Sequence, residues 1–175
     1  MNYRRVHIEN SKIFITVVTS KRRAILIDNI DLLRTSFKHV KKKIEFNIDA
    51  IVVLPDHIHM IIQPKDTNTY PEIIKQIKVN FSRNIDTTKI KDYEETESRK
   101  KKKEKDIWQR RYWEHTITNE KELNNCIDYI HFNPVKHGYV KLAKDWQYST
   151  FLRYVKQGFY DENWCDFNLN NDLYE

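Results

Sequence analysis

The sequence predicts an α+β domain of ferredoxin-like type, an antiparallel sheet packed with helices. Three observations carry this. Hydrophobic periodicity runs in the order β-α-β-β-α-β-α. Each apolar run is short and rich in β-branched residues, as half-buried strands require. The chain of 175 residues has the length of one domain and can bury roughly two-thirds of its unfolded surface. Residues 1–145 are expected to form that domain, with a charged insertion at 86–106, and 146–175 to form a tail packed on or near it.

The elements follow in order. Ile13 to Val18 is a β-branched run and reads as a strand. Ile30, Leu33, Phe37 and Val40 recur at helical spacing over 30–43, with Asp28 or Asn29 as cap. Ile48 to Leu54 and His57 to Gln63 read as two strands joined by a tight Pro55-Asp56 turn. Pro71 opens the next helix, whose stripe is Ile73, Ile74, Ile77 and Phe81. Residues 86–106 lose apolar periodicity, and Glu94-Glu95-Thr96-Glu97 gives way to Arg99 and four lysines. A solvated, mobile or partly helical insertion is expected there, with a phosphate grip as the alternative. Trp108 to Ile117 reads as an edge strand. Asn119 and Glu122 form a capping box before a helix striped by Leu123, Cys126, Ile127 and Ile130. Pro134 is expected to end that helix, because the residue before a proline avoids helical geometry.

Net charge is +6 and aromatics make up 13% of residues. A basic, aromatic surface suits a phosphate-bearing partner, although charge alone does not choose that over a basic protein with no particular partner. Cys126 and Cys165 are too few for a disulfide scaffold and lack zinc-site spacing. No secretion signal opens the chain, and no apolar stretch approaches the ~20 residues of a membrane span. A cytoplasmic protein without a membrane partner is expected.

The chemistry concentrates at two places. His57 and His59 are two apart on a strand, so both imidazoles project from one face, and Ile58, Met60 and Ile62 from the other. That pair suits two ligands of one ion. Tyr129 and Asn133 are four apart on a helix and share a face, so one helix would deliver a phenol and an amide oxygen together. Gln63 is in register with the histidines but ~13 Å from His59 by strand rise, too far for one ion. Two imidazoles and a neutral amide leave open positions for phosphate oxygens, which favours Mg²⁺ or Mn²⁺, with Zn²⁺, Ni²⁺ and Co²⁺ acceptable to imidazole. A divalent cation would polarise a phosphate and favour a phenolate, whose free pKa is about 10. Tyrosine-mediated cleavage of a nucleic-acid backbone is the reaction this set supports. Tyr112 and Tyr139 are rival nucleophiles without an amide at helical spacing, and His7, His39, His131 and His137 read as structural. Arg4, Arg5, Arg22, Arg23, Arg110 and Arg111 are forks suited to phosphate or guanine edges. Trp108, Tyr112 and Trp113 interleave with two of them as base-stacking faces, although at least one tryptophan is expected in the core. Lys75 and Lys78 could flank a stem or form a solvated helix face.

These residues resemble a known family. Leu54-Pro55-Asp56-His57-Ile58-His59 is similar to the signature of HUH endonucleases. Ile107 to Ile117 and Asp128 to Gly138 are similar to the long blocks of REP-associated tyrosine transposases, as are Tyr3-Arg4-Arg5 and Asp145 to Phe151. The resemblance runs from residue 3 to about 164 and implies the HUH endonuclease fold and a domesticated relative of the single-tyrosine transposases of small insertion sequences (the insertion-sequence-200 type). Such proteins bind single-stranded DNA folded into REP hairpins and cut and rejoin it with a divalent metal through a 5′-phosphotyrosine. Carried onto this chain, the nucleophile falls on Tyr129 and the metal ligands on His57, His59 and Asn133. Tyr3, Arg4 and Arg5 fall in the DNA-reading amino end, with the two arginines reading the guide tetranucleotide. The resemblance also implies a monomer associated with the nucleoid. A catalytically silent hairpin-binding protein is the alternative, disfavoured because tyrosine, histidines and amide are all present. A hydrolase of small phosphate esters is disfavoured by the basic surface.

Overall fold

The computed structural model describes residues 11–165. Four strands, β1 (Lys12–Val18), β2 (Phe46–Val53), β3 (His57–Pro64) and β4 (Trp113–Ile117), form one sheet of order β2-β3-β1-β4, with every neighbouring pair antiparallel. The expected ferredoxin-like α+β architecture is therefore present. Helices α1 (Ile30–Lys41) and α2 (Tyr70–Asn84) pack against each other on one face. Helix α4 (Glu120–Lys136) covers the other. Two short helices, α3 (Glu97–Lys101) and α5 (Phe151–Lys156), lie in the insertion and in the segment after α4.

Strand alternation sorts the core into two layers. Ile13, Ile15 and Val17 of β1 join Ile58, Met60 and Ile62 of β3 beneath α1 and α2. Phe14 and Ile61 face the opposite way, with Ala50 and Val52 of β2, and meet Cys126, Ile127, Tyr129 and Ile130 of α4. The tight turn at Pro55 and Asp56 closes with the Leu54 N–H donating to His57 O at 2.9 Å. This fixes the register that sends His57 and His59 to the α4 face. Asn119 caps α4 by accepting from the Glu122 N–H at 2.9 Å, while the Glu122 carboxylate accepts from the Thr118 N–H at 2.7 Å.

Two expectations are corrected. β4 begins at Trp113, not Trp108, because the preceding residues are drawn away to the β1 end, where Trp108 bridges Thr19. α4 runs through Pro134 to Lys136. A proline in the last turn removes only one backbone bond, and the helix still closes with His137 N–H on Asn133 O and Tyr139 N–H on Pro134 O, both at 3.0 Å. The insertion is partly helical, as expected, and buried Asp106 anchors it. That carboxylate accepts from Ser20 Oγ at 2.7 Å and pairs with Arg99 Nε at 2.6 Å and Arg23 Nη1 at 3.4 Å. An isolated charge could not stay there; two guanidiniums and a hydroxyl satisfy it.

The segment after α4 lies along the free edge of β2. The Val53 N–H donates to Tyr148 O at 2.8 Å, the Thr150 N–H to Ile51 O at 2.9 Å, and Trp146 Nε1 to Val53 O at 3.0 Å. An edge strand that would otherwise present unpaired backbone is thereby covered.

Candidate active site

His57 and His59 stand side by side on β3, 4% and 2% exposed, with ring centroids 4.8 Å apart and planes at 81°. Each ring is held through Nδ1. His59 Nδ1 bonds Thr16 Oγ1 at 2.8 Å, across the β1–β3 register, and His57 Nδ1 bonds Asp56 Oδ1 at 2.6 Å. Neither Nε2 has a hydrogen-bond partner among the described residues. A metal-binding histidine is oriented in this way, one nitrogen fixed by an outer partner and the other presented. Burial holds the His59 imidazolium well below its usual range, and the positive groups of His57, His137, Lys136 and Arg22 push the same way. His59 is thus neutral, as ligation requires. Burial works to raise the Asp56 carboxyl, but its hydrogen bond to His57 and the nearby Arg22 guanidinium, 3.2 Å away, outweigh this and hold it low.

Helix α4 lays a stripe of residues across this pair. Tyr129 packs its ring 5.2 Å from that of His59 and 6.0 Å from that of Phe14. His137, just past the helix and two turns on, packs 5.4 Å from His57. Asn133 is the middle member of that stripe and so faces the two imidazoles. It is fully buried, and neither its Oδ1 nor its Nδ2 finds a hydrogen-bond partner among the described residues. A buried amide with both ends unmet costs free energy unless something else engages it. Among the described residues, no three His, Cys, Asp or Glu side chains converge to hold an ion. Beside the two imidazoles, the Asn133 amide oxygen would be available as a neutral third donor. The donor set of two imidazoles and an amide fits a divalent cation.

A cavity of about 360 Å³ opens in front of the histidines, and Thr16, Arg22, Gln109, Arg111, Tyr112 and His137 line it with them. Tyr129 is 2% exposed and sits behind His59, off the cavity wall. Lys136 Nζ lies 5.2 Å from the centre of its ring. The site is rimmed by cations, as an anionic substrate would require.

The other expected DNA-binding residues are scattered. Arg22 and Arg111 reach the cavity. Arg110 lies outside it and pairs with Glu104 at 3.2 Å. Arg23 is buried on Asp106, and Trp108, 4% exposed, packs 5.2 Å from the Phe81 ring. Both side chains are engaged within the fold, Arg23 on the Asp106 carboxylate and Trp108 beside Phe81. Tyr3, Arg4 and Arg5 lie outside the described residues. Sequence reasoning passed over Thr16, Asp56 and His137. A polar residue inside the apolar β1 run, an acid next to a histidine, and a second four-residue step beyond Asn133 were the available signals.

Comparison with known proteins gives a consistent set of relatives. Residues 7–133 match the family described as transposase, IS200 like. A Haemophilus influenzae protein named as a REP-associated tyrosine transposase is 41% identical, covering 98% of this chain and 99% of its own. The REP-associated tyrosine transposase of Escherichia coli strain K12 is 37% identical, covering 93% and 90%. A solved structure of a REP-associated tyrosine transposase bound to a REP hairpin superimposes with a TM-score of 0.80 at 33% identity, covering 99% of this chain and 96% of that one.

Proposed function

The chain belongs to the IS200-like transposase family, and from that premise we propose that it is a metal-dependent single-stranded DNA endonuclease and strand-transferase acting on REP-type hairpins through a 5′-phosphotyrosine on Tyr129. The observation that carries this is the single α4 stripe. It brings the Tyr129 ring to 5.2 Å from that of His59 and carries Asn133 one turn further on, within one chain. No second copy is needed to complete the site, which supports a monomer.

Each residue has a part. His57, His59 and Asn133 would hold Mg²⁺ or Mn²⁺, with Thr16 and Asp56 fixing the rings. A cation bound there supplies charge neutralisation at the phosphate oxygens and favours ionisation of the phenol. Tyr129 Oη attacks the phosphorus, the P–O3′ bond breaks, and the 3′-hydroxyl leaves with a proton. The phosphate remains esterified to Tyr129. A 3′-hydroxyl later displaces the phenol and rejoins the strand, because the ester bond has kept the energy of the one it replaced. Arg22 and Arg111 clamp the phosphates beside the scissile one, and Lys136 keeps positive charge beside the phenol. Tyr129 is sealed behind His59, so α4 must draw back for the phosphate to reach it. Its softest point is at Pro134, where the ladder lacks a donor. On resemblance alone, Arg4 and Arg5 read the tetranucleotide at the hairpin foot with Tyr3 beside them in the DNA-binding amino end, and the protein works on nucleoid DNA in the cytoplasm.

The test is incubation with labelled hairpin DNA and Mn²⁺, resolved on a denaturing gel. The expected result is a cleaved strand and a slow protein–DNA band, both lost in chelator and in His57→Ala with His59→Ala. A hairpin that is bound but never cut or attached would make the protein a silent binder instead.

A further inference from the structure

A second cleft, about 700 Å³, lies between the outer face of α2 and the folded insertion. Lys78, Arg83, Arg99, Lys103 and Arg110 line it, opposed by Glu104. Arg83 and Lys103 make no ion pair among the described residues, and Lys78 donates only to the carbonyls of Gln109 and Arg110, at 2.8 and 3.2 Å. Burial, then the nearby Arg99, pulls the Lys78 ammonium down to about 8, against the opposing pull of Glu104. The cleft wall also includes Trp108, whose buried indole N–H has no acceptor among the described residues. The site cavity and this cleft share Gln109 and Tyr112, so a chain leaving the histidines past those two residues enters the cleft directly.

We propose that this cleft holds the phosphodiester backbone of the single strand flanking the hairpin as it leaves the active site. The inference rests on the function proposed above and adds a binding surface made by the insertion. A cleft of about 700 Å³ is too small to take in a double helix and has room for a few nucleotides of one flexible strand. The cationic walls supply the sequence-independent part of the affinity.

The test uses the full chain carrying Tyr129→Phe, so that no probe is cut, with and without Arg83→Ala and Lys103→Ala together. Both residues are exposed, and unchanged thermal unfolding confirms that the added pair leaves the fold intact. Fluorescence anisotropy is read with three probes: a REP-type hairpin with a single-stranded flank, the same hairpin trimmed of its flank, and a short oligothymidylate. The pair is expected to weaken the flanked hairpin and the oligothymidylate about tenfold and to flatten the dependence of log affinity on log salt by about 1.4, while the trimmed hairpin is unaffected. Equal loss on the trimmed hairpin would assign the cleft to the stem and overturn the proposal, as would undiminished binding of all three probes. Failure of the protein without the pair to bind any hairpin would instead sink the function proposed above, and the oligothymidylate then decides the cleft alone.

Discussion

At the scale of single residues, the site is defined by what its side chains lack as much as by what they touch. Asn133 is buried on the α4 stripe that runs past the two oriented imidazoles, and its amide is unengaged among the described residues. Asn133→Leu should therefore stabilise the metal-free protein by about 1–3 kcal/mol while abolishing cleavage, because an unmet buried amide is replaced by an apolar group of similar size. Urea unfolding without metal checks this, and a less stable variant would show that the amide has a partner. His131 has the opposite character. It faces away from the site, bonds Thr150 Oγ1 at 2.9 Å, and is pushed down to about 3 by burial and then by Arg153. It stays neutral in the fold, whereas the unfolded chain takes up its proton below about 6.5. Its contribution is whole above pH ~6.5 and is lost as pH falls toward 3, on the order of several kcal/mol at the acid limit. His59 acts in the same direction, while Asp128, whose carboxyl is raised by burial, opposes them. Urea midpoints at about pH 7 and pH 4.5 should differ less in His131→Gln than in the unaltered chain.

At the scale of elements, α4 and the insertion carry the arrangement. The His-x-His strand and the Tyr129–Asn133 pair were legible because strand and helix periods fix which side chains share a face, whatever the rest of the chain does. The path of α4 beyond Pro134 was not, since the rule for the residue before proline is a local preference that packing on β2 and β3 overrides. The insertion was illegible for a related reason. It is anchored where its Asp106 carboxylate meets Arg99 and the distant Ser20 and Arg23, and periodicity does not report such a contact. Asp106→Ala leaves two nearly buried guanidiniums without their acid and should cost about 3–5 kcal/mol, read by chemical unfolding. A loss within ~0.5 kcal/mol would mean that the insertion is not anchored there. Hydrogen exchange across 129–137 should quicken when a hairpin binds, if α4 draws back to expose Tyr129; unchanged protection would contradict that opening.

At the scale of the molecule, the ferredoxin-like order followed from the sequence of periods, and the sheet order β2-β3-β1-β4 places the histidine strand at its centre. That position explains the rigidity of the imidazole pair, which is flanked by β1 on one side and β2 on the other. The DNA surface was harder to read. Six arginines carry the same charge in the sequence, but the fold sends Arg23 inward, ties Arg110 to Glu104 and brings only Arg22 and Arg111 to the site cavity, with Arg4 and Arg5 outside the described residues. The central claim is that the Tyr129 hydroxyl becomes esterified to the 5′-phosphate of the cut strand. The most direct measurement is mass spectrometry of the peptide that carries a nucleotide after digestion of the Mn²⁺-dependent adduct. The predicted result is a 5′-linked nucleotide on Tyr129 alone. Attachment at Tyr112 or Tyr139, or cleavage with no attached nucleotide anywhere, would contradict it.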